Sequence, residues 1–250
     1  MRWKDLLFCL SVICLALLID RIPVQNLLEN NGMADASDIG YIITGITIIL
    51  VFVLIGRSKK ILISGGFFKP IKKNYLILFL PLFFPGLVFI VNLDLGCHKG
   101  SLALGITILF LLTRGLMEEV VFRGVIQGYL RKQYPDKPLH KVIFITAILF
   151  ALIHIVNIRH SGIQNVLLQI IYAFYMGLFF GALLIKTNNV WLLGIVHGVL
   201  NTFSVRCVEM QDEYLSKIDI GTLLGMLLMF SPVLIIYWLL MITNKPKPDM

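Results

Sequence analysis

The sequence has 250 residues, of which 58% are hydrophobic and only 14% are charged, and its mean hydropathy is +0.88. Soluble domains are about 45–50% apolar and about 25% charged, so this composition excludes a soluble globular protein and indicates one membrane domain over residues 1–250. The net charge of +8 then bears on membrane orientation and on contact with membrane lipid. No motif that binds nucleic acid is present.

Apolar segments along the chain predict an all-α fold, a polytopic transmembrane helical bundle of about eight spans. The predicted spans are residues 6–19, 40–56, 75–93, 102–130, 142–157, 166–185, 190–205 and 221–243. The first span resembles a signal peptide but lacks a small-x-small cleavage site, so we expect it to be retained. Residues 21–38 are predicted to be a loop, and the apolar stretch 61–68 is expected to lie at the membrane interface.

Three smaller features refine this arrangement. Pro81 and Pro85 are expected to kink the third span. Gly177 and Gly181, four residues apart, predict a close-packing face on the sixth span. The four cysteines have no CxxC spacing, which indicates neither a metal knuckle nor a redox pair, although Cys97 and Cys207 are both predicted outside and could form a disulfide.

The distribution of positive charge predicts the orientation of the bundle. Of the 22 lysines and arginines, 15 fall in segments that the eight spans place on one side and five on the other. Because cytoplasmic segments carry the excess of lysine and arginine, both termini are predicted to be cytoplasmic. The short loops and small size favour a bacterial cell membrane.

The fourth predicted span carries four charges inside an apolar run, LLTRGLMEEVVFRGVIQGYL, residues 111–130. A charged side chain near the bilayer centre costs about 2.5–3.5 kcal/mol on insertion scales, so these side chains must pair or face a polar cleft. Arg114 with Glu118, and Glu119 with Arg123, have the i, i+4 spacing of ion pairs on a helix. The alternative to a functional role is a structural helix held by these pairs.

Three predicted helices bring polar residues to one depth. At about 1.5 Å per residue, Glu118 and His154 each lie about 18 Å from the predicted cytoplasmic ends of their helices, and His197 and Asn201 lie about 12–18 Å in. A single buried histidine is more often a satisfied polar residue between helices than a catalytic group. Agreement among three helices makes a common site the better interpretation.

These residues resemble three motifs of the CPBP family. This family comprises membrane proteins related to the CAAX prenyl endopeptidase and to bacterial abortive-infection and bacteriocin-processing proteins. The motifs are Glu118-Glu119-x-x-x-Arg123, Phe150-x-x-x-His154 and His197-x-x-x-Asn201. They occur in the order of the family, and the resemblance covers a catalytic core of about residues 75–205.

The same residues suit peptide hydrolysis, which needs an activated water and donors for an oxyanion. A carboxylate taken out of water is suited to act as a general base near neutral pH, so Glu118 is the candidate base, with His154 helping to hold the water. His197 and Asn201, one turn apart, could both donate to one oxygen. The resemblance implies these same roles.

The remaining charges of the fourth span have supporting roles in this hypothesis. Glu119 is expected to pair with Arg123 and set the helix geometry. Arg114 lies one turn from Glu118, outside the motif, where its charge could affect the basicity of Glu118.

A zinc site is the rival chemistry, because Glu118, His154 and His197 could bind zinc with water in the fourth position. The HExxH spacing of zinc proteases is absent. The resemblance implies a metal-independent glutamate protease, so no cofactor is expected.

The leading functional hypothesis is an intramembrane endopeptidase that cuts a hydrophobic or lipidated peptide near the cytoplasmic membrane face. Two alternatives come from other classes. A non-catalytic bacteriocin-immunity or scaffold protein would bind a partner through the cleft. A proton-coupled transporter would also use buried glutamate, arginine and histidine, but it predicts broken helices at corresponding places in two halves, and the sequence has no such symmetry.

Overall fold

A computed structural model describes residues 1–30, 36–68, 70, 101–202 and 220–243. All regular elements in these ranges are helices. In chain order they are α1 (Trp3–Asp20), α2 (Val24–Glu29), α3 (Ala36–Ser58), α4 (Ser101–Glu119), a π-helical segment (Val120–Gln127), α5 (Gly128–Gln133), α6 (Leu139–Ile153), a 3-10 turn (His154–Asn157), α7 (Ile158–Thr187), α8 (Val190–Thr202) and α9 (Ile220–Thr243). The predicted third span with its prolines, and both Cys97 and Cys207, lie outside the described residues.

The all-helical membrane fold agrees with the composition. Within the described residues, four helical segments are long and apolar enough to cross a membrane: Trp3–Asn26, Ala36–Ser58, Leu139–Asn157 and Gly162–Thr187. Two shorter apolar helices are Val190–Thr202 and Phe230–Ile242. The structure does not confirm the count of about eight spans, because the described residues contain four helical segments of this length and apolarity and the predicted third span lies outside them.

The predicted loop 21–38 is wrong in part, because it contains α2 and the first residues of α3. Pro23, whose fixed φ suits a helix start, immediately precedes α2. α2 then packs against α3 at Gly40, where an added Cβ would lie 2.8 Å from the backbone nitrogen of Gln25. The polar composition of this segment concealed a short helix that tertiary packing stabilises.

Helix α1 runs antiparallel to the continuous helix formed by α4, the π-helical segment and α5. At the start of α1, the fully buried Asp5 accepts hydrogen bonds from the hydroxyls of Tyr129 and Tyr134. At its end, Asp20 pairs with Arg114 at 2.8 Å. Fifteen residues separate the two contacts on each helix, so α1 follows its neighbour for about 22 Å.

Basic segments gather at one end of the bundle, which we call the basic face. Its members are Arg2, Lys4, Arg57, Lys59, Lys60, Arg131, Lys132, Lys137, Lys141 and Lys186. Side chains join these segments: Arg131 donates to the carbonyl of Ser64 at 2.6 Å, and Lys132 donates to that of Lys59 at 2.8 Å. The stretch 61–68, predicted at the interface, packs here with Ile61 and Phe67 buried and Phe68 exposed.

Close helix packing occurs where glycines face other backbones. A Cβ at Gly115 of α4 would lie 2.2 Å from the backbone nitrogen of Gly198 on α8. On α7, a Cβ at Gly177 would lie 2.9 Å from Ala147, and one at Gly181 would lie 2.7 Å from Ile143. The predicted close-packing face of α7 is therefore confirmed, and a second such contact joins α4 to α8.

The contact between α4 and α8 generates a stability prediction. Gly115→Ala is expected to lower the free energy of unfolding by about 1–3 kcal/mol, because its methyl group would meet backbone atoms that cannot rotate away. Gly105→Ala is the matched control on the same helix, where an added Cβ meets nothing within 4 Å. Thermal unfolding in detergent measures both, and equal melting temperatures for the two variants would contradict the close contact.

Candidate functional site

Two adjacent glutamates at the end of α4 occupy different environments. The side chain of Glu119 is completely buried, whereas that of Glu118 is 18% exposed. Successive residues on a helix point about 100° apart, so one carboxylate faces the packed interior while the other faces a cavity. The structure therefore separates the two acids that the sequence places side by side.

Glu119 is held by two partners. Its Oε2 lies 3.2 Å from Nε of Arg123, and its Oε1 lies 2.8 Å from Nδ1 of His197. Arg123, only 1% exposed, also lies against aromatic faces, with its guanidinium carbon 4.3 Å from the ring centroid of Phe150 and 5.9 Å from that of Phe180. The predicted pair of Glu119 and Arg123 is thus present, and cation–π contacts supplement it.

His197 connects the two glutamates. While Nδ1 contacts Glu119, Nε2 lies 3.7 Å from Oε2 of Glu118. The ring is stacked on Phe180, with centroids 5.3 Å apart and an interplanar angle of 21°. With a proton on Nδ1 directed to Glu119, Nε2 can donate a hydrogen bond only in the doubly protonated imidazolium form.

Glu118 also lies near Arg114, whose guanidinium is 3.9 Å from Oε1. Arg114 has a closer partner in Asp20, at 2.8 Å. The predicted i, i+4 pair with Glu118 is therefore present as a longer contact, and Asp20 holds the guanidinium at that separation.

His154 stands at the junction of α6 and the 3-10 turn. Its Nδ1 lies 2.9 Å from the carbonyl oxygen of Phe150, one turn earlier. Because a carbonyl only accepts, Nδ1 is the donor, and Nε2 is left as an acceptor in the neutral ring. Asn157, at the end of the same turn, donates to Gln169 of α7 at 2.9 Å and so attaches the turn to the bundle.

A cavity of about 390 Å³ contains both Glu118 and His154. Its other polar lining residues are Asp20, Arg21, Tyr41, Arg114, Asn157 and Gln169. His197 and Asn201 are not among the described residues that line it. The structure thus brings the predicted base and first histidine into one cavity and places His197 behind Glu118, with Asn201 one turn further along α8.

Asp20, Gln169 and Phe180 were not predicted from the sequence as residues of the site. Asp20 directly follows the first apolar run, and an acid at that position was a candidate partner for a buried arginine such as Arg114. Gln169 and Phe180 carry no comparable signal, because polar or aromatic residues inside apolar helices are common. Among the described residues, no group of three or more His, Cys, Asp and Glu side chains is arranged to hold a metal ion.

The fold and the site define an all-helical membrane protein with a buried Glu, Arg and His cluster next to a polar cavity. Residues 100–203 match the family model described as Type II CAAX prenyl endopeptidase Rce1-like. This segment contains all three motifs, and the match supports the resemblance of this part of the chain to the CPBP family. No curated protein and no solved structure matches the chain.

The environments of the two glutamates generate a second prediction. Glu119→Gln is expected to destabilise the fold by about 3–5 kcal/mol, because it leaves the Arg123 guanidinium buried without its carboxylate. Glu118→Gln, at a partly exposed position facing the cavity, should change stability by less than about 1 kcal/mol. Melting temperatures in detergent compare these adjacent, chemically identical substitutions. Similar losses from both would show that the two acids share one structural role.

Proposed function

We propose that the protein is an intramembrane endopeptidase that uses an activated water to hydrolyse a peptide bond of a hydrophobic or lipidated peptide. The family match supports a protease of the CAAX type. The observation that carries the mechanism is the division between the two glutamates: Glu119 is sequestered by Arg123 and His197, while Glu118 shares a cavity with His154. Environments that separate neighbouring acids are a recurrent way of assigning different catalytic tasks to them.

In this proposal Glu118 and Nε2 of His154 accept hydrogen bonds from the two hydrogens of one water. The water oxygen, with its lone pairs free, attacks the carbonyl carbon of the peptide as Glu118 takes one proton. The tetrahedral intermediate then breaks its carbon–nitrogen bond, and Glu118 returns the proton to the leaving amine. The products are a carboxylic acid and an amine, and no further reactant is needed.

His197 and Asn201 are proposed as the oxyanion donors. Both lie on α8, one helical turn apart, and Nε2 of His197 lies 3.7 Å from Glu118. An oxyanion that forms beside this carboxylate, at the wall of the cavity, would be on the side of α8. Because Nδ1 of His197 contacts Glu119, donation from Nε2 requires the imidazolium, whose two protons would match the carboxylates on either side. Glu119 thereby acts as a positioning residue for His197 and, through Arg123 and Phe150, for α6.

A zinc mechanism with Glu118, His154 and His197 is the alternative chemistry. The contacts of Nδ1 with Phe150 in one histidine and with Glu119 in the other resemble those that orient zinc-bound histidines. The experiments on activity therefore include a chelator.

Glu118→Gln is expected to reduce turnover by about 10²–10⁴-fold, because it removes the general base and leaves the cavity intact. The assay is mass spectrometry of a panel of hydrophobic and lipidated peptides exposed to the purified protein in detergent. Glu29→Gln, the same substitution at an exposed acid on α2, should retain full activity. Full cleavage by a folded Glu118→Gln protein would refute the mechanism. Loss of wild-type activity in a chelator, restored by zinc, would assign the water to a metal instead.

His154→Ala is expected to reduce turnover by about 10²-fold or more, because it removes one of the two acceptors that orient the water. His140→Ala, at an exposed position near the start of α6, is the matched control and should leave the rate unchanged. The same peptide assay measures both rates. Equal activities of the two variants would remove His154 from the mechanism.

A further inference from the structure

We infer that the cavity containing Glu118 is reached from the membrane side opposite the basic face, and that its substrate is a peptide segment presented from that side. The positive-inside rule makes this the extracytoplasmic side. The route depends on the fold alone, and only the nature of the occupant rests on the proposed function.

The first observation is where the cavity lies along each helix. Its lining residues on α1, among them Ala16 and Asp20, belong to the end of a helix that starts at the basic face. Tyr41 lies near the start of α3, which runs toward that face. His154 and Asn157 lie beyond the end of α6, which leaves that face. The cavity therefore occupies the half of the bundle away from the basic face.

The second observation is that packed side chains close the route from Glu118 to the basic face. Along the same helix, Val120 and Val125 have no exposure, and Phe122 has 2%. Phe150 is 2% exposed and Phe180 has no exposure. About 22 Å of helix separates Glu118 from Gln133 at the basic end, and buried residues fill its first turns.

The third observation is a polar path on the other side. The side chains of Glu118, Arg114 and Asp20 are 18%, 29% and 24% exposed, and Arg21, next along, is exposed. The ion pair between Arg114 and Asp20 thus stands between Glu118 and solvent. Water and a peptide backbone can follow these partly exposed charged groups, whereas the charged and polar groups in the opposite direction, such as Arg123 and Gln127, are buried within close packing.

This inference revises the expectation that cleavage occurs near the cytoplasmic face. Depth along α4 placed Glu118 well inside the membrane, but depth alone does not tell from which side a buried residue is reached. Among the described residues that end the helices opposite the basic face, only Arg21 and Arg159 are basic. The basic face has ten such residues, so the two sides differ strongly in charge.

Cysteine accessibility in intact cells tests the route without requiring any activity. All four native cysteines would be replaced, and single cysteines introduced by Glu118→Cys in the cavity, Arg21→Cys at its rim and Lys137→Cys on the basic face. A small membrane-impermeant thiol reagent would be added to cells, and to cells that have been permeabilised. We expect labelling at positions 118 and 21 in intact cells, and at position 137 only after permeabilisation.

Two controls make the result decisive. Val125→Cys lies on the same helix at a position with no exposure and should remain unlabelled from either side. Asn157→Cys, on another part of the cavity lining, should behave like Glu118→Cys and replaces it if that variant does not fold.

Three outcomes would overturn the inference: labelling of the cavity positions only after permeabilisation, no labelling of them under either condition, or labelling of Lys137→Cys in intact cells. The failure of a peptidase assay would leave the inferred route unaffected. Conversely, cavity cysteines reached only from the cytoplasm would leave the proposed hydrolysis intact and return cleavage to that side.

Discussion

The burial of one guanidinium constrains the centre of this molecule. Arg123 is 1% exposed inside a membrane bundle, where an uncompensated charge is among the costliest groups a helix can carry. Its compensation comes from Glu119 on the same helix and from the ring of Phe150 on α6. Glu119 in turn contacts His197 on α8. One charge therefore fixes the relative positions of three helices, and each of the three family-like motifs lies on one of them.

This cluster requires a close approach of α4 and α8, and glycine provides it. Gly115 and Gly198 face each other at a separation that leaves no room for a side chain. A wider spacing would carry His197 away from Glu119 and leave both buried charges less well compensated. Packing and electrostatics are thus coupled here. Because Gly115 and Gly198 have no side chains, α4 and α8 approach closely enough for His197 to contact Glu119.

The sequence predicted the all-helical fold, most helix boundaries and the charged pairs, because apolar runs and i, i+4 spacing are local properties. It also predicted that Glu118 and His154 share a site, since their depths follow from residue counts. The partner of Arg114 was not predictable in the same way. Asp20 is far away in sequence, and only the antiparallel packing of α1 brings it to Arg114. Likewise, the contact of Glu119 with His197 joins residues far apart in sequence and does not follow from local spacing.

Two adjacent glutamates in a helix could be expected to have the same role, but here Glu118 and Glu119 have different surroundings. Because successive side chains point in different directions, one carboxylate can stabilise the packed cluster while the other remains available to water. On the side of the packed cluster, Glu118 contacts His197. On the side of the cavity, it lies next to the ion pair of Arg114 with Asp20. Glu118 is consequently held between a closely packed interior and a polar opening. This asymmetry would serve a binding protein as well as a hydrolase, but the proposed hydrolysis also uses the second feature of the cavity, the imidazole of His154 that lines it together with Glu118.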